Sequence, residues 1–201
     1  MQLHTLTFAA IGPFRDEQHI DFGQLAAGGL FLLEGPTGAG KSTVIDAVVF
    51  ALYGDVPGDR GSAKNLRCDL APPARAPRVF LDATIGGRRF HLTRSPGWER
   101  PKKRGTGTTR QQASVLVQEV VDGEPVHLTN RLDEAGHLVH DLLGMCLGQV
   151  TQVVMLPQGR FQDFLRATSE DRHRLLQQLF RTRRFEQVEL WLRQRRTELH
   201  R

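Results

Sequence analysis

The residues best equipped for chemistry lie together in the stretch LFLLEGPTGAGKSTVIDAVVFALYG, residues 30–54. Within it, Gly35-Pro36-Thr37-Gly38-Ala39-Gly40-Lys41-Ser42 satisfies the pattern GxxxxGK(S/T) in full. Each position has a physical task. Gly38 and Gly40 let the backbone turn so that successive N–H groups point inward at phosphate oxygens. A helix following the loop adds unpaired amide donors and the positive end of its dipole. Lys41 supplies a mobile point charge for the β- and γ-phosphates, and the Ser42 hydroxyl is a ligand for Mg²⁺. Thr43 is placed for a more proximal phosphate. The expected ligand is a nucleoside triphosphate with Mg²⁺.

The loop needs a strand before it and a helix after it. GLFLLEG, an unbroken apolar run, has the pattern of a strand buried on both faces. After the loop, Val44, Ile45, Val48, Val49 and Leu52 recur at helical spacing and predict one apolar face on a helix over 41–53. Ahead of this unit, Leu3, Leu6 and Phe8 alternate, Gly12-Pro13 breaks the run, and Ile20 and Phe22 resume it. Two antiparallel strands joined by a turn are expected. Downstream, RVFLDATIGGRRFHLTR reads as a hairpin with strands 78–85 and 88–94 about a Gly86-Gly87 turn. ASVLVQEVV is a further strand, with Asp122-Gly123 as a turn beyond it. SPGWERPKKRGTGTTRQ reads as a basic loop, and a helix is expected over about 129–143 with Leu132, Leu138, Val139, Leu142 and Leu143 buried. Beyond Pro157-Gln158-Gly159 the chain reads as helical. Phe185, Val188, Leu192 and Leu199 stand there at the start of an a/d spacing.

Bulk properties exclude several classes. The 201 residues suffice for one large domain, and a 39% hydrophobic fraction for a core. Two distant cysteines, Cys68 and Cys146, argue against a disulfide framework or a zinc site and fit a reducing cytoplasm. The N-terminus lacks the pattern of a signal peptide, and no apolar run approaches the ~20 residues that span a bilayer, so no membrane association is expected. The net charge of +5 is compatible with an acidic partner or nucleic acid. Lys102, Lys103 and Arg104, with Lys64 and Arg67, are the candidates to neutralise DNA phosphates without reading sequence.

The blocks LTFAAIGPFRDEQHIDF, GPTGAGKSTVIDAVVFALYGDVP and VVMLPQGRFQDFLRA together resemble the SbcC family. These are the ATPase subunits of bacterial SbcCD nucleases, related to Rad and SMC heads. The resemblance implies an α/β P-loop NTPase of ABC/SMC-head type: a mixed sheet with an antiparallel β subdomain and a C-terminal helix starting a coiled coil. It implies that residues 1–178 form the N-terminal lobe of the head and 179–201 the start of the first coiled-coil arm. Gln158 would be the Q-loop glutamine, touching Mg²⁺ and the attacking water. Implied partners are the C-terminal lobe, a second head in an ATP-dependent dimer, double-stranded DNA, and an SbcD-type nuclease docking near Phe185, Val188, Trp191 and Leu192. An SMC-like or RecF-like clamp without a nuclease is the alternative.

ABC-type hydrolysis also needs an apolar strand ending in Asp-Glu, a signature loop and a switch histidine. Asp82 follows apolar residues but has no Glu after it, and Asp133-Glu134 has no strand before it and suits the first turn of a helix. No LSGG-like loop occurs, and none of the eight histidines takes an assignable place. The chain alone is therefore expected to hold phosphates but to hydrolyse ATP negligibly.

Overall fold

The computed structural model describes residues 1–25, 31–56, 66–102, 105–153, 168–170 and 183–199. The chain divides into two units, Met1–Leu147 and Gly148–Arg201. The first is built on a six-stranded antiparallel sheet: β1 (Gln2–Ala9), β2 (Gln18–Asp21), β3 (Arg78–Ile85), β4 (Arg88–Ser95), β7 (Ser114–Val121) and β8 (Glu124–Thr129), in the order β2-β1-β3-β4-β7-β8. A separate two-stranded hairpin, β5 (Trp98–Pro101) with β6 (Thr108–Gln111), rises between β4 and β7. This sheet is the expected antiparallel subdomain.

Period-two alternation sets its two faces. Leu6 and Phe8 of β1, Val79, Leu81, Ala83 and Ile85 of β3, Phe90 and Leu92 of β4, and Val115 and Val117 of β7 form one buried face. That face packs under helix α2 (Lys41–Tyr53), with α3 (Leu132–Leu143) beside it. A single helical turn, α1 (Phe22–Leu25), follows β2 and buries Phe22. Both expected tight turns form. Gly86 and Gly87 have φ of 61° and 84°, and Asp122 and Gly123 have 53° and 87°, the paired positive values that two-residue hairpin turns require.

Four expectations change. The segment 31–36 is neither strand nor buried: Phe31, Leu32 and Leu33 are 52%, 84% and 46% exposed. An interior strand needs neighbours on both edges, and every paired strand among the described residues belongs to the antiparallel sheet or the small hairpin. Ile45 is exposed rather than part of the buried face, while Ala47 to Leu52 are all buried, so the second half of α2 is covered all round. The basic loop is the β5–β6 hairpin, and β8 is an additional strand. In α3, Val139 is buried and Leu138, Leu142 and Leu143 pack against the core, but Leu132 stands in the first turn and is exposed.

α2 stops at Gly54, whose left-handed conformation (φ 76°) lets its N–H return to the Phe50 carbonyl at 2.8 Å. One residue earlier, the Tyr53 hydroxyl donates to the Met145 carbonyl at 3.0 Å, tying the end of the helix to the segment after α3. In the second unit, α4 begins at the boundary (Leu147–Val153), and α5 (Arg183–Leu199) is a 17-residue helix. Val188, Trp191 and Leu192 are exposed on α5.

Burial, with a smaller contribution from Cys146, pushes the Tyr53 phenol up from 10.0 to about 12. Because the folded value is raised, the neutral phenol stabilises the fold fully below the unfolded value. That contribution is lost as pH rises through the folded one. Tyr53 is the only tyrosine, so phenolate absorbance reports it alone. The native chain should ionise near pH 12 and the urea-unfolded chain near 10. A native transition near the unfolded value would show that the hydroxyl is not held as described.

Candidate nucleotide site

The phosphate loop sits where its sequence pattern requires, at the N-terminus of α2. Gly38 and Gly40 have φ of 86° and 90°, in the left-handed region where side chains are disfavoured. A Cβ on Gly38 would meet nothing within 4 Å, so the loop's crest is open to an incoming group. The amides of Lys41 and Ser42 belong to the first turn, where no carbonyl four residues back exists to accept them. Lys41 Nζ reaches back over the loop and donates to the carbonyls of Gly35 at 2.6 Å and Pro36 at 2.8 Å. Ala39 N–H bonds the Pro36 carbonyl at 3.2 Å. The ammonium thus closes the loop into a ring and is held at its rim, where phosphate oxygens would compete with the two carbonyls.

Sequence reasoning misses what braces this loop. The β1–β2 connection folds as a tight turn, with Ile11 and Phe14 exchanging both backbone hydrogen bonds at 3.1 and 2.9 Å. Its outer side is pinned to the segment after residue 65: Gly12 N–H donates to the Leu66 carbonyl and Cys68 N–H to the Ala10 carbonyl, both at 2.9 Å. Its inner side presses on the phosphate loop. A Cβ on Gly40 would lie 2.4 Å from Phe14 Cε2 and 2.9 Å from Pro13 Cγ, and one on Gly12 would lie 2.6 Å from Thr43 Cγ2. The Phe14 ring itself is anchored edge-on to buried Phe8, centroids 5.3 Å apart. Ala10 is held at φ 55° in this same connection, a costly conformation for a residue with a Cβ. The pair Gly12 and Gly40, well separated in sequence, carries a faint signal: two glycines whose missing side chains make room for one another's neighbours.

Several other candidates are placed as follows. Ser42 is exposed at the start of α2, whereas the Thr43 side chain is packed under Gly12. Arg67 is committed inside the fold rather than offered to DNA. Its guanidinium donates to the carbonyls of Cys68, Ala71 and Pro72 at 3.2, 3.4 and 2.9 Å and lies over the Trp98 ring, 5.3 Å from the centroid. Lys102 is exposed at the end of β5, where its N–H bonds the Gly107 carbonyl at 3.1 Å. Lys64, Lys103, Arg104 and Gln158 lie outside the described residues, as does the side chain of Phe185.

The acidic residues weighed for a hydrolytic strand are occupied. Buried Asp82 receives two hydrogen bonds from Arg89, at 2.9 and 2.6 Å, with His91 Nε2 3.8 Å away. Burial raises its pKa, but Arg89 and the nearby histidines outweigh that and leave it lowered. Asp133, at the first turn of α3, is held at about 2, chiefly by its hydrogen bond from Arg131. Glu134 accepts from Thr129 Oγ1 at 2.5 Å. These carboxylates build a strand pair and a helix start.

A glycine loop of this form, set on a buried helix over an antiparallel sheet, defines a P-loop nucleotide-binding domain. The family model described as AAA domain matches residues 5–196, and the chain belongs to that family. It is similar to the SbcC subunit of the SbcCD nuclease from Vibrio cholerae, 39% identical over 92% of this chain, and to its counterpart from Staphylococcus epidermidis, 32% identical over 88%. The counterpart from Lactococcus lactis is 32% identical over 85%. The chain spans 16–18% of the length of these relatives. Among solved structures it is similar to the SMC head domain from Thermotoga maritima, with a TM-score of 0.37 and 20% identity, over 82% of this chain and 54% of that one. The residues present suit a nucleotide such as ATP with Mg²⁺: the loop amides and Lys41 would hold the phosphates and Ser42 the metal, which would supply charge neutralisation.

The brace makes a specific prediction. Gly40→Ala should destabilise the chain by about 1–3 kcal/mol, from a strained φ and the clash with Phe14, and weaken nucleotide binding with it. Phe14→Ala in the same chain removes the clash. A double-mutant cycle on thermal unfolding and on binding of a fluorescent ATP analogue should therefore show coupling of about 1 kcal/mol or more. Strictly additive effects would mean that Phe14 does not brace the loop.

Proposed function

We propose that this chain is the ATP-binding N-terminal lobe of an SbcC-type DNA-repair ATPase. In this reading residues 1–178 belong to the head and 179–201 begin the first coiled-coil arm. The observation that carries it is the state of the segment leading into the phosphate loop. Phe31, Leu32 and Leu33 expose their side chains directly before Gly35, and Ile45 is exposed on the helix that follows. A run with the pattern of a doubly buried strand, left exposed beside a well-formed phosphate loop, calls for a further sheet. In the proposed head the C-terminal lobe of the same protein supplies it, together with the Asp-Glu strand. A second head supplies the signature loop across the nucleotide. Gln158 acts as the Q-loop glutamine toward Mg²⁺ and the attacking water.

The partners follow from the same reading. The relatives named as nuclease subunits favour an SbcD-type nuclease over a clamp that works without one. Phe185, Val188, Trp191 and Leu192 on α5 are its docking residues. Positions 188, 191 and 192 share one helical stripe, and those three side chains are exposed. ATP binding drives head closure in the cytoplasm, and the nuclease cuts double-stranded DNA ends and hairpins. Lys102, Lys103 and Arg104, which follow β5 in the chain, contact the DNA backbone.

The purified chain should bind the ATP analogue weakly, lose roughly tenfold or more of that affinity in Lys41→Ala, and show negligible turnover. Adding the separately expressed C-terminal lobe of an SbcC-type protein should restore hydrolysis. Robust turnover by this chain alone, abolished by Lys41→Ala, would overturn the reading. For the basic cluster, reversing the charges at 102–104 should lower the DNA affinity of the reassembled complex and flatten its salt dependence by up to about three phosphate contacts. An unchanged salt slope would remove these residues from the DNA interface.

A further inference from the structure

Arg94 is the last core-facing residue of β4 and is 3% exposed. Its Nε donates to the Ala51 carbonyl at 2.8 Å and Nη2 to the Leu52 carbonyl at 3.1 Å. The guanidinium therefore sits against the C-terminal end of α2, where the helix dipole is negative. Gly54 lies so close that a Cβ there would stand 2.8 Å from Nη1. These partners are carbonyls. No carboxylate among the described residues forms an ion pair with Arg94, and burial alone moves its pKa, down to about 10, so it remains a cation at neutral pH. Among the described residues, this full positive charge is buried against partial charges only.

Beside it opens a cavity of about 170 Å³. Phe50, Arg94 and Pro96 form its buried floor; Arg110, Gln112 and Ser114 stand exposed around its mouth. No acidic residue among the described residues lines it. Arg110, like Arg94, makes no ion pair among the described residues. The volume is well below the ~300 Å³ at which small-molecule pockets begin, which excludes a nucleoside and leaves room for one compact group. One buried and one exposed guanidinium, a hydroxyl and an amide suit a group with several acceptor oxygens and negative charge.

We propose that this cavity, separate from the phosphate loop, binds a phosphate group between Arg94 on its floor and Arg110 at its mouth. The occupant touches the residue that closes the end of the phosphate-loop helix and the root of the β5–β6 hairpin at once. Inorganic phosphate and a backbone phosphodiester of nucleic acid share the required chemistry.

The test uses the chain with Lys41→Ala, so that the phosphate loop does not dominate, and follows the Nε–H resonance of Arg94 with ¹⁵N-labelled arginine. Inorganic phosphate should shift that resonance saturably. Arg110→Gln, a change at the exposed mouth, should weaken the response roughly tenfold, and Arg110→Lys should recover most of it. Displacement of phosphate by a short DNA duplex, with the same resonance moving, identifies a backbone phosphodiester as the occupant. Saturation by phosphate without competition from the duplex identifies the free anion. An Arg94 resonance that neither probe moves, or a response that Arg110→Gln leaves unchanged, overturns the site.

Discussion

The structure depends on burying the second half of α2. From Ala47 to Leu52 every side chain is covered, so this helix cannot form in water without a wall on more than one side. Each large apolar side chain in that run contributes about 1.5–3 kcal/mol by leaving water. The antiparallel sheet is one wall, and its alternating Val79, Leu81, Phe90 and Leu92 supply it. A rigidly seated helix then presents its N-terminal amides at a fixed place, which is what a phosphate loop needs. Chemistry at one end rests on packing at the other.

Both ends of that helix are finished by residues from elsewhere in the chain. At the N-terminus the turn 11–14 leans on Gly40 and Thr43. At the C-terminus Arg94 takes the carbonyls of Ala51 and Leu52, which the helix cannot satisfy itself. The first contact is steric and tolerates no side chain at Gly40. The second is electrostatic, and no carboxylate among the described residues pairs with its charge. Between them they fix the helix along its axis, so a change of position at the phosphate loop would be felt at β4 and at the hairpin that β4 leads into.

Much of this is legible in sequence, and the failures have a common cause. The GxxxxGK(S/T) loop and the Gly86-Gly87 and Asp122-Gly123 turns are set by local backbone demands, and all are readable. The β3–β4 hairpin alternates cleanly because one of its faces is buried. The β5–β6 hairpin reads as a loop because it lies outside the main sheet and alternates nothing. β8 is hidden by Pro125, which an edge strand accepts, and by a run of exposed side chains. Residues 31–33 have the composition of a buried strand, but no strand among the described residues pairs with them and their side chains are exposed. Leu132 has the phase of a core residue on its helix, but it falls in the first turn, beyond the sheet's cover. Arg94 and Phe14 give no local sign, since their partners lie far away in the chain, at Ala51 and Gly40.

The division between what is present and what is absent follows from which groups are local. Phosphate binding draws on backbone amides, one lysine and one hydroxyl, all within a single loop and helical turn. Such a site needs only one loop and the helix that follows it. Hydrolysis needs a carboxylate aimed at a water on the far side of the γ-phosphate, and no residue of the same loop can reach round to it. That group has to arrive on another strand. Here the two acids weighed for that role, Asp82 within β3 and Asp133 in the first turn of α3, are already engaged by Arg89 and Arg131. Freeing Asp82 would leave a buried carboxylate or its partner without compensation. The exposed side chains of Phe31, Leu32 and Leu33 stand directly before the loop, where the proposed reading has a further sheet enter. In the proposed reading, a catalytic carboxylate carried on such a strand would reach the site only when the two sheets join, so hydrolysis would be conditional on assembly while phosphate binding would not.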